Sequence, residues 1–146
     1  MKSYKNILYA VEIDKNLNDF LPKAIEKANS THVNLHIFHA IKSTNTTYGA
    51  ATGYIPLESM TELENKLKVQ AESSLNEITT THPLASGSVT VTISDNPKED
   101  IINKASDLNA DAIYLNGHNH SLIGRLGSVA DYVINHAQCD VVVLKS

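Results

Sequence analysis

The chain holds one cysteine, Cys139, in 146 residues, so no disulfide can form within it. That cysteine stands just ahead of the apolar run Val141 to Leu144, where a small buried packing residue is expected rather than a nucleophile. Glycine and proline are sparse, at six and four, and with 42% hydrophobic and 19% charged residues the composition excludes disorder and describes an ordinary folded globule. No long block of like charge occurs; the twelve Lys and Arg are scattered, the net charge is -4, and there is no basic stripe to displace counterions from a nucleic acid. No apolar run approaches the roughly 18 residues of a membrane span. The opening MKSYKNILYAVEID has no apolar stretch followed by a small-residue cleavage site. The expectation is a cytoplasmic protein with neither nucleic acid nor membrane as a partner. Also missing are a G-x-S-x-G elbow, a G-x-x-x-x-G-K-[ST] loop and a G-x-G-x-x-G after the first apolar run, which argues against a hydrolase or a dehydrogenase.

What is present alternates. Asn6 to Glu12 is a short, nearly continuous apolar run, as in a central strand covered on both faces. Leu17, Phe20, Leu21, Ala24, Ile25 and Ala28 follow at helical spacing, with Asn16 or Asn18 as cap and Pro22 near the first turn. Val33 to His39 reads as a second strand, and Ser43 to Ile55 as a long loop. Met60, Leu63, Leu67, Ala71, Leu75 and Ile78 form one face of a long helix from Leu57, expected to stop before the Thr79 to Pro83 cluster. Val89, Val91 and Ile93 alternate with Thr90, Thr92 and Ser94, the pattern of an edge strand. Asn96 and Pro97 then start a helix running to about Asn109, with Glu99 and Asp100 complementing its dipole. Ala112 to Leu115 and Val141 to Leu144 are the last strands, with Val129, Ala130, Val133, Ile134 and Ala137 on a helix between them. Such β-α alternation calls for one doubly wound α/β domain, residues 1–146, on a mostly parallel sheet.

Ligands of such sheets collect at the carboxyl ends of the strands near the switch in strand order, which directs attention to Glu12 to Asp14 and Gly117 to Ser121. Small residues at Gly117, Gly124 and Gly127-Ser128 leave backbone amides approachable, and a helix beginning near Ser128 could hold an anion or be capped by Ser128 with Asp131. His118, His120, His39 and Glu12 lack a recognised ligand spacing and read as hydrogen-bonding groups, so no metal site is assigned. Glu12, Asp14, Asp95 and Lys145 are the residue types of a Mg²⁺-dependent phospho-acceptor domain. The edge-like third strand argues against that reading, since the acceptor must lie beside strand one.

The segments YKNILYAVEID, NPKEDIINKASDLNADAIYLNGHNH and GSVADYVINHAQCDVVVLK resemble the universal stress protein family in order and spacing, across the whole chain. The resemblance implies a five-stranded parallel sheet in the order 3-2-1-4-5 with helices on both faces, and a cytosolic stress-response homodimer paired through Val141, Val142, Val143 and Leu144. Nucleotide-binding members carry a G-x2-G-x9-G-[ST] loop. Here Gly117 resembles its first glycine and Gly127-Ser128 its last pair, but nine residues separate Gly117 from Gly127 instead of twelve, and His120 stands at the second glycine. Glu12 replaces the usual Asp. The chain thus resembles the A-type branch with a short phosphate loop. What the resemblance implies for a site is an adenine-nucleotide pocket, a remnant or altered one, made by Ala10, Val11, Glu12, Ala40, Asn116, Gly117, His118, Gly127, Ser128 and Val129. Its ligand would be ATP or AMP, with Mg²⁺ if bound. The function expected is a binding or signalling module, with protein partners, rather than an enzyme. The alternatives are a receiver-like phospho-acceptor, or a nucleotide-binding protein with weak ATPase activity.

Overall fold

The structure, a computed structural model, describes residues 3–43, 57–117 and 127–145. Along them run β1 (Asn6–Ala10), α1 (Leu17–Ser30), β2 (Asn34–Lys42), α2 (Leu57–Thr81), β3 (Gly87–Ser94), α3 (Pro97–Asp107), β4 (Ala112–Gly117), α4 (Ser128–His136) and β5 (Asp140–Lys145). Among the described residues the strands form one sheet in the order β3-β2-β1-β4-β5, every pairing parallel.

Because side chains alternate across a strand, β1 feeds two cores. Ile7, Tyr9 and Val11 pack with Leu21 and Ile25 of α1 and with Ala71 and Leu75 of α2. Leu8 and Ala10 pack on the other face with Phe38, with Ile101 and Ala105 of α3, and with Ala130 and Val133 of α4. Burial on both faces is the physical reason for the unbroken apolar run, each full-sized aliphatic contributing about 1.5–3 kcal/mol. Cys139 packs half-buried against the second core, where burial first and the nearby Asp140 and Asp111 carboxylates next push its thiol pKa up, as suits a packing residue. On the face of α1 and α2, those helices lie over β2 and β3, while Tyr114 and Leu144 over β4 and β5 stay half-buried.

Several local expectations need correction. Asn16 occupies the N-cap position of α1 but makes no side-chain cap bond. Instead the Asp14 carboxylate accepts from the Asn16 amide at 2.8 Å, an Asx turn that starts the helix. Pro22 lies inside α1 rather than in its first turn. α2 runs through Thr79, Thr80 and Thr81. Their hydroxyls donate back to the carbonyls of Leu75, Asn76 and Glu77 at 3.1, 2.7 and 3.3 Å, and the constraint from Pro83 acts only on His82. Leu63 and Leu67, assigned to the buried stripe, are 49% and 38% exposed, while Glu64 between them is buried and accepts from the Ser43 hydroxyl at 3.0 Å. β2 continues to Lys42 because it pairs with β3 along its whole length, from Leu35↔Gly87 to Lys42↔Ser94. The loop expected over 43–55 lies, beyond Ser43, outside the described residues. The expected start of α3 stands: Asn96 Oδ1 accepts from the Glu99 amide at 3.5 Å, its Nδ2 donates to the Glu99 carboxylate at 3.1 Å, and Pro97 fills the first turn.

Candidate functional site

At the carboxyl ends of β1 and β4 the order of connections reverses: β1 leads out to β2 on one side, and the chain returns through β4 on the other. The crossovers part there and leave a cleft of about 170 Å³. Its walls come from Ala10, Val11 and Glu12 after β1, Phe38, His39 and Ala40 of β2, Pro97 and Ile101 of α3, Leu115 and Asn116 of β4, and Gly127 to Ala130 at the start of α4. Ala10, Val11, Glu12, Ala40, Asn116, Gly127, Ser128 and Val129 were expected together, and they meet here. Gly117 does not line the cleft. It pairs with Lys145 at the end of β4, and a Cβ there would stand 2.8 Å from Val143 Cγ1, so its bareness serves the packing of β5. His118, like His120 and Gly124, lies outside the described residues.

Phe38, His39, Pro97, Ile101, Leu115 and Ala130 complete the walls without having been assigned to the pocket. Phe38 and Ala40 share one face of β2 by alternation, and Leu115 sits one residue from Asn116, so strand period and register together could have found Phe38 and Leu115.

The polar lip is held by specific bonds. The Val11 amide donates to the Phe38 carbonyl at 2.9 Å, prolonging the β1–β2 ladder past the end of β1. The His39 ring meets the Val11 carbonyl at 2.8 Å through Nδ1. A carbonyl only accepts, so Nδ1 carries a proton in this contact. Tyr9, 1% exposed, donates from its hydroxyl to Asn116 Oδ1 at 2.9 Å. Burial, opposed by the Asn116 bond and aided by Asp14, pushes the Tyr9 pKa up to about 12, so the phenol keeps its proton and donates. The other end of the same amide, Asn116 Nδ2, is buried and has no partner among the described residues. Such an orphaned donor costs about 1–3 kcal/mol and calls for an explanation.

Across the cleft, Gly127 rather than Ser128 is the N-cap of α4, with φ 94° and ψ 162° and no side-chain cap bond. The Asp131 amide closes the first turn on the Gly127 carbonyl at 3.0 Å. A positive φ suits glycine, and it leads the chain into a helix whose first amides and dipole favour an anion. The described residues therefore line an apolar cleft with Ala10, Ala40, Phe38 and Leu115 and set a helix N-terminus at one end of it. Among those residues no three His, Cys, Asp or Glu side chains gather as a metal site. The acidic residues of the phospho-acceptor reading are not assembled either: β2 separates β3, which Asp95 follows, from β1.

The domain is thus an open parallel α/β unit with a small cleft at its switch point. The family model for the universal stress protein family matches residues 3–145, and the chain belongs to that family. It is 29% identical over 142 residues to universal stress protein A homolog 1 of Coxiella burnetii (strain RSA 493 / Nine Mile phase I), covering 97% of this chain and 96% of that one. Its fold is similar to that of universal stress protein UspA from Lactobacillus plantarum, at a TM-score of 0.76 and 21% identity over 99% of each chain. A universal stress protein from Archaeoglobus fulgidus, solved in complex with dAMP, matches at a TM-score of 0.58 and 21% identity over 98% of each chain. Among the described residues no helix is long and apolar enough to cross a membrane.

Proposed function

We propose that the protein is a cytosolic stress-response binding module that takes an adenine nucleoside monophosphate in the switch-point cleft, acts without catalysis, and works as a homodimer. The cleft carries this reading. Its 170 Å³ falls below the roughly 300 Å³ at which drug-sized pockets begin, so it encloses a base and leaves sugar and phosphate to lie toward the start of α4. The dAMP bound by the Archaeoglobus relative is of this ligand class and lends support. Against an enzyme stands the chemistry of the lip, where the Nδ1 of His39 is committed to a carbonyl and the one hydroxyl among the described lining residues, that of Ser128, begins a helix.

The homodimer rests on β5. This edge strand keeps Val141, Val142, Val143 and Leu144 half-buried, and Val142 and Leu144 share the face that α1 and α2 leave open, beside Tyr114. Calorimetric titration of ligand-free protein with AMP, dAMP and ATP, with and without Mg²⁺, tests the ligand. Saturable AMP binding that Ala40→Leu weakens tenfold or more, by filling the slot, is the expected result; no heat from any of the three nucleotides would overturn it. Sedimentation of Val142→Lys tests the interface, the expected outcome being a monomer where the parent is a dimer.

A further inference from the structure

We infer that the free edge of β3 is a second self-association surface, where the strand pairs antiparallel with β3 of another copy in the register that sets Val91 opposite itself. In the sheet order β3 is terminal, so its outer backbone edge has no neighbour among the described residues. Which groups lie on that edge follows from the inner one. The Leu35 amide donates to the Ser86 carbonyl at 3.0 Å and the Ser43 amide to the Ser94 carbonyl at 2.7 Å, so the even-numbered residues of β3 turn toward β2. Val89, Val91 and Ile93 therefore turn their amides and carbonyls outward.

Such edges are ordinarily blunted by charge, proline or a bulge. Gly87–Ser94 holds no charged residue and no proline, and it keeps unbroken register with β2. Its sequence is also close to a palindrome about Val91. Antiparallel pairing about that residue sets Val89 against the partner's Ile93, Thr90 against the partner's Thr92 and Ser88 against the partner's Ser94, so like meets like on each face. In this register the outward-turned residues face one another and exchange both hydrogen bonds, whereas a shift by a single residue would set them against inward-turned ones. The side chains have room as well. A groove of about 510 Å³ runs beside the edge between Val69, Ser73 and Asn76 of α2 and Val89 and Val91 of β3, with Glu72 the one charged residue on its described walls. Val69 and Val89 are exposed there, and the partner's Ile93, opposite Val89, would cover them. The occupant is a second copy because the match is to the strand's own sequence, and an uncharged edge lets two chains of net charge -4 meet where neither repels the other.

The test is sedimentation velocity over a concentration series, in the Val142→Lys background so that β5 does not contribute. That protein is expected to be a monomer when dilute and a dimer when concentrated. Thr90→Lys together with Thr92→Lys, on the half-buried polar face of the strand, sets like charges opposite one another at two symmetric places and should raise the concentration of half-association about tenfold or more. Thr90→Lys together with Thr92→Glu sets opposite charges there and should restore association, in a way that added salt weakens. Circular dichroism of the dilute variants shows that each keeps the fold. A Val142→Lys protein that stays monomeric throughout the series overturns the inference. Association that the two charge combinations change equally overturns it too, because the contact then runs through another surface or another register.

Discussion

Replacing Gly87 with alanine is expected to cost about 2–4 kcal/mol, far more than one added methyl normally does on a surface strand. Gly87 opens β3 opposite Leu35, and a Cβ built there stands 1.8 Å from the Leu35 carbonyl oxygen and 2.6 Å from its carbon. Both are backbone atoms of a strand whose side chain is 1% exposed, so they cannot turn aside. The φ of +141° adds strain of about 1–3 kcal/mol for any L-residue. Relief requires the start of β3 to withdraw, which breaks the 3.0 Å bond from the Leu35 amide to the Ser86 carbonyl and loses about 0.5–1.5 kcal/mol more. At about 2–4 °C per kcal/mol for a chain of this size, Tm should fall by roughly 4–16 °C. Urea unfolding followed by far-ultraviolet circular dichroism measures the loss, at one fixed protein concentration because self-association would add to stability. Gly117→Ala is the control: its Cβ meets a side-chain methyl of Val143 at 2.8 Å, which a rotamer change can relieve, so its loss should be smaller. Equal losses in the two variants, or a Gly87→Ala protein within about 0.5 kcal/mol of the parent, would refute the argument from backbone contact.

Two further predictions concern acid. Asp111 accepts from the Asn6 amide at 2.8 Å and the Lys5 amide at 2.7 Å, and these bonds, Asn6 first, hold its pKa below the ordinary 3.8. A depressed carboxylate stabilises above its unfolded pKa and loses that contribution as pH falls through the folded one, so the stability advantage over Asp111→Asn should be full at neutral pH and close below about 3.8. His36, whose Nδ1 lies 2.8 Å from the Ser88 hydroxyl, has its pKa lowered from 6.5 by burial first and by Lys104 second. The unfolded chain then takes the proton more readily, so stability relative to His36→Gln should be greatest above 6.5 and decline as pH falls from there toward the folded pKa, checked by urea midpoints across that range.

The elements were legible where one physical cause dominated. Ile7 to Ala10 could be recognised as a central strand because two cores claim it, and Val89 to Ile93 as an edge because one face is wetter. The strand order came with the family resemblance, since periodicity says nothing of which strands are neighbours. What stayed hidden depended on long-range partners. β2 reaches Lys42 only because β3 accompanies it, and Glu64 is buried through a bond to Ser43 that no helical period contains. The walls of the cleft divide in the same way. Glu12 and Gly127 announce themselves in the chain, whereas Pro97 and Ile101 belong to it only because α3 crosses back over β1, and Gly117 falls outside because β5 fills its space.

The position of β1 also bears on how the molecule assembles. Asn6 meets Asn34 across 28 residues, but reaches Asp111 across 105. By loop-closure entropy the second meeting costs about 1.2 kcal/mol more than the first. The half built from β1, β2 and β3 can therefore condense before β4 arrives, a sequence that pulsed hydrogen exchange would reveal as late protection of Ile113 and Leu115. Since the cleft lies between the two halves, it does not exist in any earlier species: the moment at which the chain becomes able to hold a ligand is the moment at which folding ends.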